Sequence, residues 1–256
     1  MPTFAGNCKY SERAANKNQV RLIFRHIAAE SAVYKDKSNK GMRISTPIED
    51  YIMEHISPEG DYLYSLYRAT NIQTVNPQMA SGHIQGRFLK MLVEMMGAKN
   101  ILEIGTFTGY SAICMAEGMQ EGGKLYTFDV NDELEDFTRK WIEGSPVADR
   151  IEYKIGSALD EAPALGVTFD LIFIDGDKRE YIEYYTMAMR ILRTGGWIIA
   201  DNTLWDGHVI EKERRDAHTE SVRRFNELVG KDERVEKVIL PLRDGLTIIR
   251  KIKDNG

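Results

Sequence analysis

A chain of 256 residues, 43% hydrophobic and 29% charged, carries enough apolar material for one sizeable core, which excludes a disordered or fibrous polypeptide. Its formal net charge of -5 provides no broad basic surface, so nucleic acid is disfavoured as a partner and a small molecule is favoured. The two cysteines, Cys8 and Cys114, stand in unrelated contexts that suit neither a zinc site nor a redox pair, and no apolar run approaches the roughly 20 residues that span a bilayer. With no apolar signal core at its start either, the chain is expected in the cytoplasm, away from membranes.

Residues 1–41 differ from the rest, with scattered polar residues, a short patch from Val20 to Phe24 and a polar stretch from Lys35 to Gly41. They are expected to form an extension outside a main domain of residues 42–256, with Met42 as an alternative start. From Thr46 the spacing of Ile48, Tyr51, Ile52 and Ile56 predicts a helix, opened by Pro47 and broken by Pro58 and Gly60. A second helix is predicted over Asp61 to Ala69. A third spans Gly82 to Met96, with Phe88, Leu89, Leu92, Val93 and Met96 on one face and Gly97 as its stop.

From Asn100 onward, short apolar runs alternate with helical stretches: Ile101–Ile104, Lys124–Asp129, Ile151–Ile155, Phe169–Asp175 and Trp197–Asp201. That rhythm marks parallel βαβ units. The last two runs, Val235–Leu242 and Leu246–Ile252, are separated only by Arg243, Asp244 and Gly245, too few residues for a crossover helix, so they predict an antiparallel hairpin. The expected fold is α/β and Rossmann-like: a seven-stranded mixed sheet with a C-terminal antiparallel hairpin, helices on both faces and extra N-terminal helices. By analogy of layout this is the fold of S-adenosylmethionine-dependent methyltransferases.

The run Glu103-Ile104-Gly105-Thr106-Phe107-Thr108-Gly109-Tyr110-Ser111 follows the first strand and opens a helix, with glycines spaced G-x-x-x-G. A nicotinamide fingerprint reads G-x-G-x-x-G and delivers a pyrophosphate to a helix N-terminus. S-adenosylmethionine has no phosphate and carries an amino-acid ammonium and carboxylate instead; Glu103 suits the ammonium. Asp129, ending the second strand, suits a pair of ribose hydroxyls. Taken alone, the same residues equally describe a strand terminator and a helix cap.

The fourth and fifth strands end in Asp175-Gly176-Asp177-Lys178 and Asp201-Asn202-Thr203-Leu204-Trp205. Ligands of open α/β sheets bind at the carboxyl ends of the strands, so Asp175, Asp201 and Asn202 are expected to converge there. Each residue singly also fits a helix cap. Together they offer only oxygen donors, which select a hard divalent cation, Mg²⁺ first, with Ca²⁺ or Mn²⁺ as alternatives. A neighbouring cation favours the neutral form of a lysine, which makes Lys178 the candidate general base. The five histidines, His26, His55, His83, His208 and His218, form no group in the sequence.

These residues resemble the cation-dependent O-methyltransferases that include the caffeoyl-CoA and catechol enzymes, over about Met42 to Lys253. The resemblance is carried by Gln78-Met79-Ala80-Ser81, by the loop from Glu103 to Ser111, by Ile174 to Lys178, by Asp201 to Trp205 and by Leu240 to Ile248. It implies that Asp175, Asp201 and Asn202 bind the metal, and that Ser81, Glu103, Gly105, Thr106, Ser111, Asp129, Ala158 and Asp177 line the S-adenosylmethionine site. It further implies that Lys178 is catalytic and that the chain forms a homodimer. The sequence departs from it at Asp206, where plant enzymes acting on caffeoyl-CoA show Asn, so the acceptor is expected to be a catechol-like small molecule with two adjacent hydroxyls. The loop from His208 to Thr219 is expected to flank it. Rival readings are a methyltransferase acting on a hydroxylated tRNA nucleotide, a non-catalytic binding module, which has no use for Asp175, Lys178, Asp201 and Asn202 together, and a dehydrogenase, against which the glycine spacing and the hairpin argue.

Overall fold

A computed structural model describes residues 47–254. The chain divides into two units at His55/Ile56. The described part of the first is α1 (Pro47–His55), whose last residue donates through His55 Nδ1 to Tyr51 O at 2.7 Å. The expected division at residue 42 lies outside the described residues.

The second unit opens with α2 (Asp61–Gln73) and α3 (Gly82–Met96). It continues as β1 (Asn100–Ile104), α4 (Tyr110–Gly118), β2 (Lys124–Asp129), α5 (Glu135–Glu143), β3 (Ile151–Ile155), α6 (Ala158–Ala164), β4 (Phe169–Ile174), α7 (Tyr181–Ile191) and β5 (Leu192–Ala200). It ends in α8 (Ala217–Lys231) and the hairpin β6 (Val235–Leu240) and β7 (Leu246–Lys251). The sheet order is β3-β2-β1-β4-β5-β7-β6, parallel from β3 through β5, with β7 inserted antiparallel between β5 and β6. The predicted seven-stranded mixed sheet and its terminal hairpin are thus observed.

Alternating side chains along each strand feed two separate cores, as the two-residue period of a strand requires. Ile101, Leu171, Phe173 and Ile199 pack under α2, α3, α4 and α5, through Leu66, Leu89, Val93, Ile113 and Ile142. Leu102, Ile104, Ile172, Ile174, Ile198 and Ile249 pack on the other face under α6, α7 and α8, through Ala162, Tyr181, Tyr185 and Phe225. Strands buried on both faces are the reason these segments read as continuous apolar runs.

Two boundaries differ from the sequence reading by four residues or more, the others by two at most. Helix α2 runs four residues past Ala69, because Thr70 takes the next position of the buried stripe begun by Leu63 and Leu66, and bonds to Thr108 Oγ1 at 3.2 Å. Strand β5 begins at Leu192, ahead of Trp197, since Thr194-Gly195-Gly196 belongs to an irregular start where the register against β4 shifts between Phe169 and Leu171. Among the described residues no helix is long and apolar enough to cross a membrane.

The order of the strands reverses direction between β1 and β4. In open parallel sheets that switch point opens a crevice beyond the carboxyl ends of the strands. It is where the loops after β1, β4 and β5 meet.

Candidate active site

The three strand ends are laced together beyond the regular sheet. Gly105 N donates to Phe128 O at 2.9 Å, Asp175 N to Ile104 O at 2.8 Å and Asp201 N to Ile174 O at 3.0 Å. Gly105, Asp175 and Asp201 therefore stand in a row on adjacent strands, one sheet spacing of about 4.8 Å apart. Gly105 has φ +98, and a Cβ there would lie 2.4 Å from the Asp175 carbonyl oxygen. Only glycine lets β1 and β4 close to this distance, which fixes the loop beside the carboxylates.

One cleft is lined by Ser81, Gly105, Thr106, Ser111 and Asp175 among others. Four of the residues expected around the cofactor and one expected on the metal thus share a single opening. Glu103 lies behind it, fully buried, with Ser111 Oγ donating to one carboxylate oxygen at 2.6 Å and Thr127 Oγ1 to the other at 2.5 Å. Thr106 and Thr127 hydroxyls meet at 2.6 Å and complete this buried chain. Asp129, at the end of β2, accepts the Phe107 N–H at 2.7 Å on Oδ2 and the Asn131 N–H at 2.9 Å on Oδ1. A carboxylate oxygen has two acceptor sites, so each retains capacity for a ribose hydroxyl. Ala158 opens α6, and the Gly156 N–H just before it donates to Asp129 O at 2.8 Å, which brings this helix start beside Asp129.

Asp177 is placed differently from the rest. Its side chain caps the turn that follows, accepting from Arg179 N at 2.9 Å, and pairs with the Arg179 guanidinium, with His218 Nε2 at 4.0 Å. The Arg179 hydrogen bonds hold its carboxyl down at about 2.

Burial pushes the Glu103 carboxyl up to about 8, against the pull of the Ser111 and Thr127 hydroxyls. The folded chain therefore keeps a proton that the unfolded chain releases above the ordinary value of 4.5. The stability that this neutral group contributes is fully present below that value and is lost as pH rises through about 8. Glu103→Gln keeps an uncharged group of the same shape, so in denaturant titrations the wild type is expected to lose stability relative to the variant between about pH 5 and pH 9. Parallel stability curves would contradict the assignment.

The acidic pair is held from several directions. Asp175 Oδ1 accepts from Lys178 Nζ at 2.8 Å. Asp201, 3% exposed, accepts from Gln85 Nε2 at 2.6 Å and from its neighbour's N–H, Asn202 N, at 2.7 Å. Asn202 has left-handed backbone (φ +57) and turns its amide nitrogen toward Asp244 Oδ2 at 3.5 Å. Burial and the neighbouring Asp201 carboxylate push the Asp175 carboxyl up, while Lys178 pulls it down. Among the described residues no three His, Cys, Asp or Glu side chains gather at one point. The candidate metal set is thus two carboxylates and one amide; its mutual repulsion and all-oxygen chemistry fit a hard divalent cation.

Lys178, 9% exposed, also donates to Tyr181 Oη at 2.7 Å, and that hydroxyl donates to Asp201 O at 2.8 Å. Tyr181 is fully buried and sets the ammonium between the two strand ends. Neither His83 nor His208 joins this group: His83 bonds to Ser57 O at 2.7 Å, and His208 sits with Glu211 and Arg214 at 3.2 Å from each.

The five described non-glycine residues with positive φ are Phe107, Asn202, Trp205, Asp206 and Arg243, and all lie in the loops after β1 and β5 or in the hairpin turn. Each costs roughly 1–3 kcal/mol and persists only where surrounding bonds enforce it, a pattern that concentrates at functional sites. The loop after β5 shows that enforcement. Trp205 stacks on His218 (5.8 Å between centroids), and one guanidinium, Arg223 on α8, donates to His208 O and Val209 O at 3.0 Å, to Arg214 O at 2.7 Å and to Glu211 O.

Sequence reasoning did not single out Gln85, Tyr181, Arg223 or Arg243. Gln85 sits on α3, 116 residues from Asp201, and reads as one polar residue of an amphipathic helix. Arg243 lies in a run whose resemblance was noted, yet its partners are more than 150 residues away. Nothing in a local pattern announces such pairs.

A family model described as O-methyltransferase matches residues 53–252. A catechol O-methyltransferase of Niastella koreensis is 34% identical over 206 residues, covering 78% of this chain and 92% of that protein. Caffeoyl-CoA O-methyltransferase 2 of Populus trichocarpa is 33% identical over 236 residues, covering 86% and 94%. Among solved structures, an O-methyltransferase from Bacillus cereus in complex with S-adenosylhomocysteine (SAH) aligns at a TM-score of 0.75 with 33% identity, covering 81% of this chain and 98% of that one. The O-methyltransferase TomG of Streptomyces achromogenes in complex with S-adenosylmethionine aligns at 0.74 with 28% identity, covering 80% and 96%.

Proposed function

We propose, from the premise that this chain belongs to the S-adenosylmethionine-dependent O-methyltransferase family, that it methylates a hydroxyl of a small phenol bearing two adjacent hydroxyls. The observation that carries this reading is the row of Gly105, Asp175 and Asp201 on adjacent strand ends, which sets the cofactor loop against an all-oxygen acidic pair. The names of the relatives, catechol and caffeoyl-CoA O-methyltransferases, point to phenolic acceptors.

In this proposal Ser81, Gly105, Thr106 and Ser111 hold the amino-acid end of S-adenosylmethionine, with Glu103 behind them; Asp129, Ala158 and Asp177 border its nucleoside end. Asp175, Asp201 and Asn202 would hold a divalent cation, which would supply positive charge that favours ionisation of a bound hydroxyl. Lys178 removes the proton from the hydroxyl to be methylated. Its amine is aimed by the Tyr181 hydroxyl, which is itself anchored on the Asp201 carbonyl. The oxygen then forms a bond to the methyl carbon as the carbon–sulfur bond breaks. An anionic oxygen and a cationic sulfonium become a neutral ether and a neutral thioether, SAH, and Lys178 leaves the step carrying the proton. Alignment of two bound reactants is the main contribution asked of the protein.

The test is methyl transfer to a panel of catechols, single-hydroxyl phenols, thioesters and small RNAs with S-adenosylmethionine and Mg²⁺, read by mass spectrometry. The expected product is a singly O-methylated catechol. Methylation confined to RNA would overturn the acceptor assignment.

A further inference from the structure

Arg243 occupies the turn between β6 and β7 with φ +50, a region that disfavours any residue carrying a Cβ. Its guanidinium explains why the turn is held there. Nη1 donates to Ser81 O at 2.6 Å, to Ala80 O at 3.0 Å and to Gln85 Oε1 at 3.3 Å, and Nη2 donates to Gln78 O at 2.8 Å. Three of these four acceptors are main-chain carbonyls of one short segment. That segment forms a wall of the cofactor cleft, through Met79, Ala80 and Ser81. Within itself it is fastened by two tight-turn bonds, Met79 N to Asn76 O at 3.0 Å and Ala80 N to Pro77 O at 3.1 Å.

The turn that carries Arg243 is anchored from below. Leu204 N donates to Asp244 O at 2.7 Å, Trp205 N to the same oxygen at 3.1 Å and Thr203 N to Gly245 O at 3.0 Å, so the turn moves with the loop after β5. Gln85 accepts from Arg243 with its oxygen and donates to Asp201 with its nitrogen. A single planar, permanently charged fork thus ties the wall of the cleft to the loop that carries Asp201 and Asn202. A lysine, with one compact charge, cannot reach the same four acceptors at once.

We propose that Arg243 is a latch: it holds residues 78–81 closed against the cleft and so retains the cofactor, touching no reacting atom itself. The proposal rests on the reading that this cleft takes S-adenosylmethionine. It makes Arg243 a positioning residue whose loss raises cofactor release and leaves the chemical step in place.

The experiment compares the full-length wild type with Arg243→Gly and Arg243→Lys. Glycine accepts the left-handed backbone, so the turn keeps its course while the guanidinium is removed. Titration calorimetry with SAH is expected to show a dissociation constant raised about tenfold or more for Arg243→Gly and by an intermediate factor for Arg243→Lys, the scale of losing charge-assisted bonds. KM for S-adenosylmethionine is expected to rise in step, with kcat at saturation kept within about twofold. Amide exchange across residues 78–81 is expected to quicken in the glycine variant. Equal SAH affinity and equal exchange in all three proteins would overturn the latch, as would a fall confined to kcat. Failure of the underlying reading looks different, because the wild type itself would then bind no SAH.

Discussion

Lys178→Ala is expected to lower methyl transfer by about 10²- to 10⁴-fold, the range that one well-placed general base supplies. The expectation follows from a side chain that is 9% exposed and held by both Asp175 and Tyr181 beside the row of strand ends. A base differs from a mere positive charge in having to give up its proton. Lys178→Arg therefore separates the two roles: arginine keeps the charge but stays protonated at any working pH, so it is expected to fail as completely as alanine. SAH affinity measured in both variants is expected to stay within a few-fold of wild type. Recovery of near wild-type turnover in Lys178→Arg would remove the base assignment and leave Lys178 an electrostatic role.

The second large effect is expected at the metal set. A phenol with a pKa near 10 is only about 0.1% ionised at neutral pH, so a bound cation that makes the anion the main form raises the reactive fraction by up to about a thousandfold. Asp201→Ala is expected to lose that factor together with Mg²⁺ affinity. It also strips the buried Gln85 amide of its partner, at about 1–3 kcal/mol of stability. Asn202→Gly avoids this complication, since glycine suits the φ of +57 and Asn202 is only partly buried. A weaker Mg²⁺ affinity in Asn202→Gly, with melting temperature little changed, is the expected signature. Unchanged affinity for the cation in both variants would move the metal elsewhere.

Much of the arrangement of the candidate site was legible in the sequence because the fold does the gathering. Asp175, Asp201 and Asn202 each end a run of apolar residues, and a parallel sheet brings such ends together without any long-range pattern being visible in the chain. The short gap of Arg243, Asp244 and Gly245 between two apolar runs likewise announced the hairpin of β6 and β7. What escaped has a common physical cause. Gln85 and Arg243 act through hydrogen bonds to residues far along the chain, and no periodicity or spacing encodes those. Thr70 hid the end of α2 because a hydroxyl satisfied by Thr108 is buried where the pattern calls for an apolar residue. The contacts of Asp177 with Arg179 and with His218 were likewise not announced by the aspartate's place after a strand.

The fold also explains why strain collects where it does. Phe107 turns its N–H onto Asp129, Asn202 turns its own onto Asp201, and Arg243 reaches across to the wall of the cleft, each from a left-handed backbone. These are the three loops that the parallel sheet and its hairpin bring to one edge of the switch point. The sheet's two cores supply the stability against which such conformations are held.

The most direct measurement follows turnover of a catechol and of the matching single-hydroxyl phenol by the wild-type protein, first with Mg²⁺, then after EDTA, then with Mg²⁺ restored. Methylation of the catechol alone, its loss in EDTA and its return with the cation are expected. Full turnover of the catechol in EDTA, or equal rates on the two acceptors, would contradict it.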